Sequence, residues 1–315
     1  MTIRFTLDGT VLEGEHTFGE DVAEHLSKVV NALHRSKRCV VVTGAGISVS
    51  GGIPDFRSAN GLYNLVKDRY PSAVLKGKDL FDASLFRDPI TTSVFYTFMA
   101  ELKQVVSKAC PTRTHEFVKS LDKDNKLLRC YTQNIDCLEE RLEMCCDMTK
   151  KQDLRIVQLH GDLNNVICNM CRTLYPFDDV KRDSFREGTP PSCENCENLQ
   201  VVRELAGKRA VAVGTLRPNV VLYNEHHTQG DQIAEVAAFD VKKRPDMLIV
   251  MGTSLKVVGI KRLVKELGKS VHSAAKPGTV LFINNADVGS HSEWDSVFDY
   301  HILGKTDDVV ERLED

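Results

Sequence analysis

The chain has 315 residues, of which 42% are apolar and 27% are charged, and its formal net charge is −3. These proportions are ordinary for a globular protein with one large domain and a smaller one, and they exclude disordered and fibrous classes. The small net charge gives no general attraction to nucleic acid or to an anionic membrane, and no apolar run approaches the ~18 residues of a membrane span. We therefore expect neither sequence-specific nucleic-acid binding nor a membrane partner.

The pattern along the chain is one of strands alternating with helices. Residues 1–20 are polar and are predicted to be an N-terminal arm, and a helical pattern begins at Asp21. Residues 39–43 form a continuous β-branched run, which is typical of a strand covered on both faces. Further runs of this kind lie at 127–131, 155–159, 220–222, 247–251 and 280–283. The alternation predicts an α/β fold with a doubly wound parallel sheet.

Four cysteines form two C-x-x-C pairs, with 21 residues between Cys171 and Cys193. The members are Cys168, Cys171, Cys193 and Cys196. Two such pairs supply the four thiolates of a closed, tetrahedral, structural Zn²⁺ site, whereas the simplest alternative is four unrelated reduced cysteines. The other six cysteines are interpreted as free thiols of a reducing compartment, since no N-terminal signal peptide is evident.

Gly44-Ala45-Gly46 follows the strand at 39–43 and precedes a possible helix start. Such a turn lets the backbone approach a pyrophosphate, and a helix start favours the anion, so it predicts dinucleotide binding. Taken alone, the turn is equally compatible with a plain loop. The last predicted strand ends at Asn284-Asn285, where an amide side chain can reach an adenosine ribose hydroxyl.

A second group of polar residues, Gln133, Asn134 and Asp136, follows the strand ending at Tyr131. Ligands of open α/β sheets bind at the carboxyl ends of the strands, so these side chains are candidates for binding sugar hydroxyls and a carboxamide. The alternative is that Asp136 caps the next helix. His160 also ends a strand, and this position favours a general base over a structural histidine.

Together these residues resemble the sirtuin family of NAD-dependent protein lysine deacylases. The matching strings are GAGIS (44–48), GIPDFRS (52–58), GLY (61–63), TQNID (132–136), HG (160–161), the two C-x-x-C pairs, RPNVVLYNE (217–225), GTSLKV (252–257) and IN (283–284). They occur in the family's order over about residues 36–311. The stretches at 76–88 and 126–140 are similar to the fungal branch that acts on histone H3.

The resemblance implies a Rossmann-like NAD-binding domain of residues 21–54, 108–160 and 214–315. It implies a smaller lobe made of a helical module at 55–107 and a zinc module at 161–213. NAD is then the cosubstrate, Zn²⁺ is structural, and the partner is an acetylated lysine of a protein, expected to be histone H3 in the nucleus. The products are nicotinamide, O-acetyl-ADP-ribose and free lysine.

The resemblance also implies roles for individual residues. The phosphates of NAD lie near Ala45, Arg57, Gly252, Thr253 and Ser254. The nicotinamide pocket contains Ile53, Asp55, Asn134 and Asp136, while Gln133 binds the adjoining ribose and His160 takes a proton from it. Asn284 and Thr306 hold the adenosine. The cofactor site further includes Gly44, Gly46, Phe56, Tyr63, Ile135 and Asn285. The peptide is expected to add as a strand between residues near Val258 and the segment containing Val220, Val221, Leu222 and Glu225.

Three points qualify this interpretation. Members that prefer acidic acyl groups have a Tyr-x-x-Arg pair where this chain has Tyr96 and Met99, so we expect neutral acyl groups. Cys137 and Asn224 stand where the family often has glycine, so the resemblance does not define the backbone conformation of these two turns. Two other functions remain, namely a protein ADP-ribosyltransferase using the same NAD pocket and a non-catalytic NAD-sensing module; the combination of His160 and Asn134 argues against the second.

Overall fold

A computed structural model describes residues 2–7, 20–55, 77–273, 276–288 and 291–314. Its larger sheet has seven parallel strands in the order β1-β10-β9-β8-β2-β3-β4, and a smaller antiparallel sheet has the order β6-β5-β7. The strands are β1 (Ile3–Thr6), β2 (Cys39–Thr43), β3 (Leu127–Thr132), β4 (Ile156–Gln158), β5 (Gly161–Cys168), β6 (Leu174–Pro176), β7 (Leu216–Val220), β8 (Met247–Met251), β9 (Thr279–Asn284) and β10 (Tyr300–Leu303).

Helices separate most of these strands. They are α1 (Glu20–Arg35), α2 (Pro89–Lys108), α3 (Arg113–Lys123), α4 (Leu138–Arg141), α5 (Asp179–Arg186), α6 (Glu194–Leu205), α7 (Gly230–Lys242), α8 (Val258–His272), α9 (His291–Trp294) and α10 (Thr306–Glu314). Short 3₁₀ helices lie at Ala45–Ser48, Gly77–Phe81 and Ala83–Arg87. In the part of the chain that the structure describes, no helix has the length and apolar character that a membrane crossing requires.

The large sheet is buried on both faces, as its continuous apolar strands predict. In β2, Cys39 and Val41 belong to one apolar cluster, whereas Val40 and Val42 belong to another on the opposite face. Successive side chains of a strand point to opposite faces, so a sheet with helices on both sides needs apolar residues at every position. The predicted doubly wound parallel sheet is therefore confirmed.

Two sequence predictions about strands are wrong in detail. Residues 3–6 are not part of an arm, because β1 pairs in parallel with β10 at the edge of the large sheet and Phe5 is buried in its core. The run at 220–222 is not a strand of that sheet either. Its first residue, Val220, ends β7 of the smaller sheet, and the chain then turns away, with the N–H of Tyr223 donating to the carbonyl of Phe81 at 2.7 Å.

The smaller sheet and the helix α2 share a third apolar cluster. Phe95, Tyr96 and Met99 of α2 pack there with Phe185 of α5, and the rings of Tyr96 and Phe185 lie 4.8 Å apart. The same cluster includes residues of the zinc-type cysteine pairs and of the segment ending β7, namely Cys168, Cys193, Cys196 and Val220. One continuous core therefore connects the cysteine cluster with the region beside His160.

Candidate functional site

The parallel register brings the ends of four strands side by side. Thr43, the last residue of β2, pairs with Thr132 of β3 and with Met251 of β8, and Met251 in turn pairs with Ile283 of β9. The turns that follow these strands therefore share one edge of the sheet. The strand β2 is also the point at which the chain order reverses direction, and this is where ligands bind in open α/β sheets.

Two glycine turns approach each other closely at this edge. The N–H of Gly46 donates to the carbonyl of Gly252 at 2.8 Å. A Cβ atom on Gly46 would lie 2.7 Å from the Cα of Gly252, and Gly252 itself has φ +61°. No larger residue fits at either position without moving backbone, so the two turns form a cradle of closely packed backbone without side chains at Gly46 and Gly252.

Gln133 connects three of the strand ends. Its side-chain amide donates to the carbonyl of Thr43 at 3.0 Å and to the hydroxyl of Thr253 at 2.9 Å. Its backbone N–H also donates to the carbonyl of Thr43 at 3.0 Å. The side chain thus lies across β2 beside the second glycine turn.

Asn134 and Asp136 meet through a hydroxyl from the first glycine turn. The amide of Asn134 donates to Ser48 Oγ at 3.2 Å, and that hydroxyl donates to Asp136 Oδ2 at 2.7 Å. The other carboxylate oxygen of Asp136 accepts the N–H of Leu138 at 3.1 Å, so this residue also supports the start of α4, as the alternative interpretation expected. Among the described residues, the buried Oδ1 of Asn134 has no partner and remains able to accept a hydrogen bond.

Burial changes the acidity of this carboxyl group. Desolvation, together with the nearby carboxyl of Glu139, raises the pKa of Asp136 to about 6, while the hydrogen bond from Ser48 opposes the change. The group is therefore still ionised at neutral pH but titrates much closer to neutrality than an exposed aspartate.

His160 has a defined tautomer. Its Nδ1 lies 2.9 Å from the carbonyl oxygen of Gln133, and since a carbonyl only accepts, Nδ1 carries the proton and the lone pair of the neutral ring is on Nε2. Burial lowers the pKa of His160, the hydrogen bond to Gln133 opposes this, and a charge on His227 would lower it further. A neutral imidazole with an available Nε2 is the form required of a general base.

The residues predicted to hold the adenosine are partly engaged in hydrogen bonds within the protein. The Nδ2 of Asn284 donates to the carbonyl of Ala286 at 2.8 Å, and the carbonyl of Asn284 accepts from Gly304 at 3.0 Å. Asn285 is exposed, whereas Thr306 is buried at the first position of α10. The amide of Asn284 is therefore already engaged locally, and its other face is what a ribose would meet.

The segment 217–225 lies beside His160, since the N–H of Val221 donates to the carbonyl of His160 at 2.9 Å, and it is built around an ion pair. Glu225 accepts from the guanidinium of Arg217 at 3.0 Å and from the N–H of Leu222 at 3.0 Å. Asn224 between them has φ +63°, a conformation that asparagine tolerates, and its Nδ2 donates to Asp82 at 2.6 Å. The bonds from Arg217 and Leu222 reach one carboxylate oxygen of Glu225, and Oε1 accepts from the same guanidinium. Glu225 thus fixes the turn, and each of its carboxylate oxygens is already hydrogen-bonded within the protein.

The cysteine pairs have the geometry of a tetrahedral metal site. The sulfurs of Cys168 and Cys196 are 3.8 Å apart and those of Cys171 and Cys193 are 3.5 Å apart, while four thiolates around Zn²⁺ are expected to be about 3.8 Å apart. The backbone N–H groups of Met170 and Cys171 donate to the sulfur of Cys168 at 3.3 and 3.4 Å, which stabilises a thiolate. The four thiols fit structural zinc, as predicted.

Residues 44–259, which make up more than half of the chain, match the Sir2 family. The chain belongs to the Sir2 family. The resemblance to the sirtuins that the motifs predicted is therefore confirmed, and with it the expectation of a zinc module beside an α/β sheet.

The relatives of this Sir2 protein include fungal enzymes. It is 42% identical over 307 residues to the "NAD-dependent histone deacetylase HST3" of Candida albicans, covering 93% of this chain and 62% of that protein. It is also 42% identical over 315 residues to the protein of the same name from Saccharomyces cerevisiae, covering 95% and 70% respectively. The chain thus spans about two thirds of the length of these relatives.

A solved structure from a study of Sir2 enzymes has the same fold. It aligns with this Sir2 protein with a TM-score of 0.65 and 26% sequence identity, covering 92% of this chain and 98% of the other.

The predicted site residues of the Sir2 protein fall into three groups. Those brought together at the sheet edge are Gly44, Ala45, Gly46, Gln133, Asn134, Asp136, His160, Gly252 and Thr253. Ile53 and Ile135 are buried in the apolar cluster that also contains Val220 and Leu222. Phe56, Arg57 and Tyr63 lie outside the described residues. The ligand contacts of all these residues stay predictions.

The remaining predicted contacts lie nearer the surface. Ser254 is exposed, Asp55 and Val221 are half-buried, and Val258 is the 80% exposed first residue of α8. The preceding residue, Val257, has an extended backbone, so a peptide strand near Val258 would have to pair before the helix begins.

Sequence reasoning missed three residues of this region. Ser48 connects Asn134 with Asp136, although its place in the GAGIS string was a usable signal. His115 and Glu139 are buried beside Asp136, and their ligand atoms and the carboxylate of Asp136 lie within 4.8 Å of one another. Neither of these two stands in a recognisable motif, and only the packing of α3 and α4 against the strand ends brings them there.

Proposed function

We propose that this Sir2 protein removes acetyl groups from protein lysines, using NAD as cosubstrate and releasing nicotinamide, O-acetyl-ADP-ribose and free lysine. The observation that carries the proposal is His160, a neutral imidazole whose Nδ1 is held by the carbonyl of Gln133, so that Nε2 carries the lone pair. The residue after Gln133, Asn134, has a buried Oδ1 with no partner among the described residues. The printed names of the fungal relatives, both NAD-dependent histone deacetylases, support it.

NAD fits the cradle for chemical reasons. The close contact of Gly46 and Gly252 requires glycine at both positions. With no side chain there, a pyrophosphate can approach the backbone of the two turns. Asn134 and Asp136 offer acceptors for a carboxamide. The amide N–H groups of Gln133 already bond Thr43 and Thr253, so its side-chain oxygen is the atom that can accept from a ribose hydroxyl. We propose that residues 21–54, 108–160 and 214–315 make the NAD-binding domain, to which β1 adds an edge strand. The smaller lobe is then made of residues 55–107 and 161–213.

The chemistry then assigns one task to each protein group. The acetyl-lysine amide oxygen is a weak nucleophile, so it has to be held close to the ribose carbon and in line with the leaving nicotinamide. As the amide oxygen bonds to the ribose carbon, the bond from that carbon to nicotinamide breaks. Nε2 of His160 accepts a proton from a ribose hydroxyl, and the oxygen of that hydroxyl attacks the carbon of the former amide. Water then completes the release of free lysine and O-acetyl-ADP-ribose. Asn134 orients the nicotinamide end. The cysteine cluster has no open coordination position for this reaction, so its proposed role is to keep the smaller lobe folded.

The proposed substrate is histone H3 in the nucleus, with a neutral acyl group. The names of the relatives support a histone, and the resemblance to the fungal branch supports H3. Met99 is completely buried in the apolar cluster with Val220 and Leu222, and no thioether can pair with a carboxylate, which favours acetyl over succinyl. Peptide competition in which succinyl-lysine is preferred would contradict this part of the proposal.

The decisive experiment incubates the purified protein with labelled NAD and a library of acetylated peptides that includes the histone H3 sequence. We expect nicotinamide and O-acetyl-ADP-ribose in equal amounts with deacetylated peptide, detected by mass spectrometry. Label transferred from NAD to protein would instead favour ADP-ribosyl transfer. Binding of acetylated peptide without any NAD cleavage would favour the non-catalytic module.

A further inference from the structure

Three ionisable side chains form a buried cluster behind the polar run. His115, Asp136 and Glu139 are 1%, 4% and 2% exposed, and one ligand-type atom of each lies within 4.8 Å of the other two. Two carboxyl groups this close and this well buried do not both carry a full charge without a compensating partner, because desolvation and mutual repulsion both oppose ionisation.

The hydrogen bonds of His115 define which ring nitrogen carries the proton in its neutral form. The N–H of Thr112 donates to Nδ1 of His115 at 3.1 Å as part of the capping box of α3, so Nδ1 acts as an acceptor. The proton of the neutral ring is then on Nε2, and within the described part of the chain this buried atom has no hydrogen-bond partner. Burial lowers the pKa of His115, so the ring is neutral unless the carboxylates supply compensation.

Glu139 is also incompletely satisfied. Its Oε1 is buried and without a partner among the described residues, and the Thr132 hydroxyl interacts with the carboxyl group. Burial raises the pKa of Glu139, as it does for Asp136, where the charge of Glu139 adds to the effect. Asp136 is better placed to hold a negative charge, since it accepts hydrogen bonds from Ser48 and from Leu138.

Among the described residues, the charged groups that act on His115 and Glu139 from outside the cluster are carboxylates. Asp307 and Glu116 act on His115, and Glu140 acts on Glu139. Asp307 stays ionised, because hydrogen bonds from Ser50 and from Thr114 outweigh its own burial and lower its pKa. These neighbours all favour retention of a proton within the cluster.

We propose that His115, Asp136 and Glu139 share a proton, and that the position of this proton sets how tightly the site holds nicotinamide. The inference rests on the proposed function, in which the carboxylate of Asp136 accepts a hydrogen bond from the carboxamide N–H of nicotinamide. When Asp136 takes up the proton, its carboxylate no longer accepts this hydrogen bond, and nicotinamide should bind more weakly. His115 and Glu139 are positioning residues, since they act through Asp136 and touch no substrate.

The test is the pH dependence of product inhibition by nicotinamide, measured from about pH 5 to about pH 8. In the wild type the inhibition constant should rise as pH falls through about 6, where Asp136 protonates, and by up to about tenfold for each further unit. Glu139→Gln removes the like charge and keeps the side-chain size, so its transition should move to lower pH by about one unit. His115→Asn keeps an acceptor for the N–H of Thr112 but removes the imidazole, whose positive charge favours the ionised form of Asp136. Its transition should therefore move to higher pH.

The matched control is Glu143→Gln, the same change on an exposed side chain four residues further along the chain. It should reproduce the wild-type profile. Superimposable profiles for wild type and Glu139→Gln would overturn the proposal, and so would a transition that disappears on adding a chelator, which would assign the cluster to a bound divalent cation.

A second measurement does not depend on turnover. Carbon-13 resonances of labelled carboxyl groups, assigned with Asp136→Asn, should show Asp136 titrating near pH 6 in the wild type and lower in Glu139→Gln. If deacetylation fails but this shift is found, the proposed function is wrong and the shared proton stands. If deacetylation is normal at about pH 8 and no shift is found, only the shared proton is wrong.

Discussion

The cysteine cluster and the sheet-edge site are assembled in opposite ways. The cluster takes its four ligands from two short turns, and each pair is separated by only two residues. The site at the sheet edge joins residues that are far apart along the chain, such as Ser48 and Asp136, which are 88 residues apart. The first needs a metal and little else to define it, whereas the second exists only if the whole parallel sheet is in register.

This contrast predicts different consequences of damage in the two regions. Loss of one metal ligand should unfold the smaller lobe while leaving the proposed catalytic residues at the sheet edge unchanged. Loss of one residue at the sheet edge should remove the chemistry while leaving the fold intact, because the apolar faces of β2 and β8 hold the sheet together.

The largest expected effect is that of Cys168→Ser. Structural zinc contributes about 10–16 kcal/mol of apparent binding free energy in small zinc domains, so loss of one thiolate should release the metal and unfold the smaller lobe. Zinc content by mass spectrometry and limited proteolysis of residues 161–213 should both change. A zinc-free, folded and active Cys168→Ser protein would mean that the apolar cluster alone maintains the lobe.

His160→Ala tests the other side of the comparison. It removes the proposed general base, and kcat should fall by about 10²–10⁴-fold with little change in thermal stability. The control is His34→Ala, which alters an exposed histidine on α1. Wild-type turnover by a folded His160→Ala protein would remove this residue from the mechanism.

Asp240→Ala tests how much a buried ion pair of the large sheet contributes to the free energy of unfolding. Asp240 is fully buried and bonds Arg129 at 3.0 Å and the hydroxyl of Tyr131 at 2.6 Å. Removing it leaves a buried guanidinium unpaired, so the free energy of unfolding in urea should fall by about 3–5 kcal/mol.

The control for this change is Glu235→Ala on the same helix, α7. Its ion pair with Lys151 is exposed, and its loss should leave the unfolding free energy nearly unchanged. Equal effects from the two variants would mean that burial of the Arg129 pair is not what matters.

The pH dependence of kcat should report the environment of His160. Burial lowers the pKa of this residue below its ordinary value of 6.5, so the neutral base is lost only when the pH falls below that value. Below the depressed pKa the rate should drop about tenfold per unit. The protein should lose stability in the adjoining window, as the pH falls from about 6.5 to the depressed pKa, because there the unfolded chain binds the proton and the folded chain does not. An acid limb at or above pH 6.5, or one that moves in Glu139→Gln, would contradict this assignment.

The smallest effect compares one left-handed residue from each region. Arg172 in the first cysteine turn has φ +62° and is exposed, whereas Cys137 beside the sheet-edge site has φ +59° and is buried. A left-handed residue with a Cβ is strained by about 1–2 kcal/mol, which glycine relieves in part. Arg172→Gly should therefore stabilise more than Cys137→Gly, which also loses a packed thiol; denaturant unfolding of each variant provides the comparison.

The sequence by itself determined the family, the strand–helix alternation and the zinc ligands. These depend on local signals, because a buried parallel strand has to be apolar at every position and a metal turn has to hold its two thiols two residues apart. It also placed His160 and the polar run correctly at strand ends, since the ends of parallel strands share an edge.

Only the tertiary structure decided the rest. It placed β1 in the sheet, because pairing with β10 depends on a strand almost 300 residues away, and it ended β7 at Val220. It put Glu225 in an ion pair with Arg217 and brought His115 and Glu139 against Asp136. The pairing of β1 with β10 and the approach of His115 to Asp136 join segments distant along the chain, and no local pattern records which buried charges the packing of helices against a sheet will bring together.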